Sequence, residues 1–171
     1  MPRVHVCSLA RIDEMAHQTG ARSMVTLINV GTPVSRPACI APERHLFIGM
    51  SDIAHPLDGH IAPDVAHVEQ LLSFVRAWDR QEPLLIHCWA GVSRSTAAAF
   101  VTACALNPAR VEDEIACAIR KASPTATPNP RFVAIADDML GRGGRMIAAV
   151  SAIGRGEDCF EGTPFGLPLH T

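Results

Sequence analysis

Residues 84–100 read LLIHCWAGVSRSTAAAF. The run LLIH is apolar without a break, as expected of a strand buried on both faces. Pro83 precedes it, and an alanine-rich helix over residues 95–106 follows it. Between strand and helix lie Cys88, five further residues, and the pair Arg94–Ser95. A tight loop of this kind aims successive backbone N–H groups into one concavity, which binds oxyanions. The following helix adds the partial positive charge of its N-terminus. Gly91 lets backbone approach closely. Arg94, at the mouth of the helix, offers a planar fork that grips two phosphate oxygens. This field favours the thiolate form of Cys88. A thiolate held under a bound phosphate is positioned for in-line attack on phosphorus.

Outward from this loop, apolar runs and helical stripes alternate. Strands are expected over residues 3–9, 24–30 (MVTLINV), 45–50 (HLFIGM) and 84–87. A helix over residues 10–19 stops at Gly20. Another opens at Pro63 and Asp64 and carries Val65, Val68, Leu72 and Val75 at helical spacing. Asn107 is expected to cap a helix with Pro108 at its first position, ending before Pro124. Two further helices are expected near 130–140 and 143–153. The fold class is therefore α/β, with a central, mostly parallel sheet of about four strands flanked by helices. Residues 1–153 read as one domain. Residues 154–171, rich in Gly and Pro, read as a tail, either a strap packed on the surface or a frayed end.

Composition narrows the function. The 171 residues are 48 % hydrophobic, enough for a substantial core. A net charge of −2 leaves no electrostatic footprint for nucleic acid or an anionic membrane. No apolar run approaches the roughly 20 residues of a membrane helix. The N-terminal stretch meets Arg11, Asp13 and Glu14 before a signal-peptide core could form, so a cytoplasmic location is expected. The six cysteines show no CxxC pair and no zinc spacing. Neither a metal nor another cofactor is expected, and most thiols are expected to be buried and inert.

HCWAGVSRS matches HCx5R[S/T], and the chain thereby resembles the cysteine-dependent protein tyrosine phosphatase superfamily. The A-G-x-S-R-S core is most similar to its compact dual-specificity branch, and ATPNPRF resembles the PNxxF segment of that branch. The resemblance covers roughly residues 24–140. It implies a phosphotyrosine-phosphatase-like fold and a metal-independent phosphomonoesterase working through a phosphocysteine. Cys88 would be the nucleophile and Arg94 the phosphate ligand. Ser95 would stabilise Cys88 as a leaving group, and His87 would support it from behind. The main-chain amides of Trp89, Ala90, Gly91, Val92, Ser93 and Arg94 would form the cradle. Trp89 is expected to pack under the loop, with a place on the pocket rim as the alternative.

The superfamily also uses an aspartic acid ahead of the loop as general acid. Asp52 directly follows the HLFIGM strand and is the expected acid; Asp58, inside PLDGH, is the alternative. Asp64 is expected to serve its helix N-terminus, and His55 and His60 to be solvated. The chain has no tyrosine to sandwich a phosphotyrosine ring, and the loop has no lysine for a second phosphate. The expected substrate is a phosphorylated protein, at tyrosine or with dual specificity. A small phosphomonoester metabolite is the second choice, and a phosphate- or phosphopeptide-binding module without turnover is the rival of another class.

Overall fold

A computed structural model gives the structure of residues 1–170. Its core is a five-stranded sheet in the order β3-β2-β4-β1-β5. These strands are β1 (Arg3–Cys7), β2 (Ser23–Ile28), β3 (His45–Gly49), β4 (Leu84–His87) and β5 (Phe165–Pro168). The first four are mutually parallel and β5 runs antiparallel to β1. The described residues also form six α-helices: α1 (Ile12–Thr19), α2 (Val65–Ala77), α3 (Arg94–Leu106), α4 (Glu112–Ala122), α5 (Pro130–Met139) and α6 (Arg145–Ile153).

The unbroken apolar strands are explained by burial on both faces. Val4, Val6, Val25, Leu27, Leu84 and Ile86 enter one core with α2 to α6. Cys7, Met24 and Leu85 point the other way, into a smaller core against α1. Alternate side chains of a strand point to opposite faces, so a strand covered on both sides reads as continuous hydrophobe. Helix α3 lies against the sheet with eleven of its thirteen residues buried, from Arg94 to Cys104. Its small alanines let strands and neighbouring helices approach closely.

Three expectations need correction. The sheet has five strands, because the expected tail contributes β5 to the edge. Phe165, Leu167 and Leu169 alternate inward, and Val4 pairs with Leu167. Pro168 is tolerated because an edge strand has one side free of ladder bonds. Thr171, the last residue of that tail, lies outside the described residues. Asn107 does not cap the next helix. It ends α3 with its N–H on the Ala103 carbonyl, and its amide donates to the Leu169 carbonyl 2.9 Å away. Helix α4 begins only at Glu112, after Val111. Third, Cys117 and Cys159 are exposed and Cys39 is partly so; Cys7, Cys88 and Cys104 are buried. Cys117 faces solvent because Ile115, Ala116 and Ile119 make the buried stripe of α4.

Candidate active site

The 88–94 loop leaves β4 between two strands and enters α3. Its carbonyl side is tied down by other segments. The N–H of Leu9 donates to the Trp89 carbonyl at 3.0 Å, and that of Gly162 to the Ala90 carbonyl at 2.8 Å. The N–H of Thr127 donates to the Val92 carbonyl at 2.9 Å, and that of Asn129 to the Ser93 carbonyl at 3.1 Å. Anchoring the carbonyls turns the N–H groups to the opposite side. Among the described residues, the amides of Trp89, Ala90, Val92, Ser93 and Arg94 have no protein acceptor. Gly91 has φ +72°, and a Cβ there would come within 2.8 Å of the Cys7 backbone. Glycine is thus required twice over, for conformation and for space.

Cys88 is 2 % exposed at the floor of this loop. Its Sγ lies 3.1 Å from Ser95 Oγ and accepts from the Gly91 N–H at 3.3 Å. Cys7, paired in register with His87, is a second buried thiol close to this one. Burial pushes it up to about 12, helped by Cys88 nearby, so it stays protonated. Arg94 is 6 % exposed. Its Nη1 donates to Asn29 Oδ1 at 2.7 Å and to the Met50 carbonyl at 2.9 Å. Its Nε is buried without any partner. An unpaired buried donor on a guanidinium costs free energy, about 1–3 kcal/mol or more. The geometry therefore holds one side of the fork rigid and leaves a donor for an anion.

Behind the loop, His87 is fully buried. Its Nδ1 is 3.1 Å from the Cys88 carbonyl and its Nε2 is 2.7 Å from Thr26 Oγ1. Thr26 Oγ1 is also 2.7 Å from His45 Nε2. Burial pulls His87 down to about 4, so the ring is neutral near pH 7. Because a carbonyl only accepts, Nδ1 carries the proton. Nε2 must then accept from the Thr26 hydroxyl, and that hydroxyl oxygen accepts from His45.

Asp52 and Asp58 have different surroundings. Asp52 Oδ1 accepts from Ser93 Oγ at 2.7 Å and from Asn129 Nδ2 at 2.9 Å. It therefore sits against the 88–94 loop. Asp58 lines a cavity of about 610 Å³ with His60, Asp64, His67 and Arg131, to which no residue of the loop contributes. Asp64 caps α2, accepting from the Val65 N–H at 2.7 Å, while His67 Nδ1 accepts from the Asp64 N–H. Trp89 is 56 % exposed and not packed under the loop. The Cys7 backbone already occupies the space beneath Gly91, so no indole fits there.

No protein-family model matches this sequence, and no curated protein matches it either. Solved structures do. Human DUSP28 superposes with a TM-score of 0.61 at 18 % identity, over 87 % of this chain and 94 % of that one. The Cydia pomonella PTP-2 phosphatase gives 0.62 at 20 %, over 79 % and 84 %. The human tyrosine phosphatase-like serine/threonine/tyrosine-interacting protein gives 0.56 at 14 %, over 80 % and 86 %. The fold is that of the dual-specificity and tyrosine phosphatases.

Within this phosphatase fold, three residues join the site that the sequence did not single out. Asn29 holds Arg94 from the end of β2. Asn129 caps α5 by accepting from the Phe132 N–H at 3.0 Å and, with the other end of the same amide, binds Asp52. Its signal was the PN of ATPNPRF. Thr26 sits in an apolar strand, where a hydroxyl must find a partner. Among the described residues no group of three His, Cys, Asp or Glu side chains is arranged to hold a metal ion. No helix among them is long and apolar enough to cross a membrane.

Proposed function

We propose that this chain is a metal-independent phosphomonoesterase that works through a phosphocysteine, acting on a phosphorylated protein at tyrosine or with dual specificity. One observation carries the reading most directly: Arg94, with a buried, unpartnered Nε, closes a loop of free amides that begins at the buried Cys88 thiol. That constellation fits a tetrahedral oxyanion. The Cys88 sulfur attacks phosphorus, the P–S bond forms as the P–O bond to the leaving group breaks, and Asp52 protonates the departing oxygen. Arg94 and the amides of residues 89–94 bind the equatorial oxygens as charge spreads over them. Asp52 then takes a proton from water, which attacks phosphorus. The P–S bond breaks, phosphate leaves, and the Ser95 hydroxyl 3.1 Å from Sγ stabilises the released thiolate.

The test is hydrolysis of p-nitrophenyl phosphate with EDTA present, by the wild type and by Cys88→Ser. Turnover by the wild type alone supports the covalent route. Equal activity of both sinks it. A second reading, a phosphate- or phosphopeptide-binding module without turnover, is favoured by the likeness to a structure whose name calls it phosphatase-like and interacting. Vanadate binding by a wild type that hydrolyses nothing would select it. Activity on phosphorylated metabolites but not on phosphopeptides would replace the protein substrate by a small phosphomonoester.

A further inference from the structure

Residues 154–164 link α6 to β5 as a strap along the carbonyl side of the 88–94 loop, pinned at fixed points. Arg120 Nη2 donates to the Gly154 carbonyl at 2.7 Å, and the Glu157 N–H to the Pro124 carbonyl at 3.0 Å. Ser8, buried just after β1, donates from Oγ to Glu161 Oε1 at 2.5 Å. The next residue, Gly162, donates its N–H to the Ala90 carbonyl at 2.8 Å. A Cβ on Gly162 would lie 2.9 Å from the Gly91 carbonyl oxygen and 3.2 Å from Val92 Cγ2. The missing side chain is what lets strap backbone reach loop backbone.

The carbonyl of Ala90 and the N–H of Gly91 belong to one planar trans peptide unit, so they point in opposite directions. On its carbonyl side this unit accepts from Gly162. On the other side its N–H donates to Cys88 Sγ at 3.3 Å. Among the described residues, it is the one loop amide bonded to the sulfur. A chain of hydrogen bonds therefore runs from the Gly162 N–H, through the Ala90–Gly91 peptide, to Cys88 Sγ. The outer bond fixes the tilt of the peptide plane and so keeps the Gly91 N–H aimed at the sulfur. It also polarises the peptide, and linked hydrogen bonds strengthen one another by roughly 10–30 % each. A thiolate accepts a hydrogen bond far better than a thiol, so both effects support the reactive form.

We propose that Gly162 is a positioning residue for the nucleophile: through the Ala90–Gly91 peptide it holds the backbone amide that supports the Cys88 thiolate. The proposal rests on the phosphomonoesterase reading above. It makes the strap, which lies outside the region that resembles the phosphatase family, part of the catalytic apparatus. No substrate contact is involved, since the influence of Gly162 passes through one peptide plane.

The experiment reads the reactivity of Cys88 itself. Alkylation by iodoacetamide is followed at Cys88 by peptide mass spectrometry, which separates it from the exposed Cys117 and Cys159. A semisynthetic full chain, joined at Cys159, carries an ester in place of the amide between Glu161 and Gly162. The ester deletes the N–H and adds no bulk. At pH 6 its Cys88 is expected to react about fivefold more slowly than in the wild type, the worth of one hydrogen bond. At pH 10, above the ordinary thiol range, the two rates are expected to converge. Gly162→Ala, which pushes the strap off the Ala90 carbonyl, is expected to act in the same direction. Leu167→Ala loosens β5 against the core without touching the loop. It is expected to lower the melting temperature and leave alkylation at pH 6 within about twofold. Equal rates for ester and wild type at pH 6 overturn the proposal. A deficit of the same size at pH 10 also overturns it, because access to the sulfur has then changed. So does a deficit in Leu167→Ala equal to that of the ester, which assigns the effect to general loosening. None of these readouts needs turnover, so a chain that hydrolyses no phosphomonoester sinks the phosphatase reading and leaves this test decisive.

Discussion

The Thr26 hydroxyl lies 2.7 Å from the buried Nε2 of His87 and satisfies the ring nitrogen that the Cys88 carbonyl leaves without a proton. With Nδ1–H donating to the Cys88 carbonyl, Thr26 must donate to Nε2. Thr26→Val keeps the shape and deletes the donor. A buried acceptor is then unpaired, at a cost of about 1–3 kcal/mol. Thr26→Ser is expected to restore most of the loss. Thermal unfolding reads the stability, and 15N chemical shifts of His87 read the tautomer. A Val variant with unchanged melting temperature, or a wild-type ring protonated at Nε2, would contradict this account.

His87 also predicts a pH dependence. Burial, with His45 and Arg94 as charged neighbours, lowers it from 6.5 to about 4. The unfolded chain therefore takes up a proton below about pH 6.5 that the folded chain refuses until about pH 4. Stability is full above that window and falls as pH drops through it, by on the order of 3 kcal/mol from this residue. His5, His45 and His67 are lowered by burial as well and act in the same direction. Urea unfolding of the wild type and of His87→Gln across the window checks the sign, the variant giving the shallower profile.

The two carboxylates ahead of the loop are separable by activity. Asp52→Asn is expected to lower kcat on phosphotyrosyl peptide by about 10²- to 10⁴-fold, the usual contribution of a general acid. Asp58→Asn, in a cavity without loop residues, is expected to stay within about twofold. The reverse pattern would move the acid to Asp58.

Ser95 is expected to act in the second half of the reaction. Its hydroxyl is 3.1 Å from Cys88 Sγ and buried, so Ser95→Ala removes a donor to the departing thiolate. Breakdown of the phosphocysteine then becomes slow. Rapid mixing with p-nitrophenyl phosphate should show a burst of one p-nitrophenol per enzyme, followed by a steady rate lower by about 10²-fold. A variant without a burst, slowed equally in both phases, would place Ser95 elsewhere in the cycle.

Local chemistry explains what the sequence revealed. The strand–loop–helix around Cys88 was readable because each of its residues answers a local demand. Continuous apolar residues mean a strand buried twice, Gly91 a left-handed turn, and Asp64 a helix cap. Asp52, three residues after β3, was marked as a neighbour of the loop by that position. What escaped depends on contacts far apart in sequence. Asn29 and Thr26 lie in and just after an apolar strand, with nothing local to mark Arg94 or His87 as partners. Phe165, Leu167 and Leu169 alternate as a strand should, but Gly162 and Pro164 before them and Gly166 and Pro168 between them read as a loop. Asn107 looked like an N-cap because Pro108 follows it, yet it is held by the Leu169 carbonyl from the other end of the chain.

The pairing of Val4 with Leu167 has a bearing on how the protein is made. During vectorial synthesis β1 emerges early and its outer edge waits for a strand that comes out about 160 residues later. Until then that edge is an open template for pairing with other chains, a hazard that chaperones cover. The strap that tethers Ala90 through Gly162 arrives in the same late portion. A nascent chain that already contains Cys88 and Arg94 therefore holds its reactive loop without its outer wall. Dephosphorylating capacity should appear in a single step once β5 has emerged, not grow with chain length.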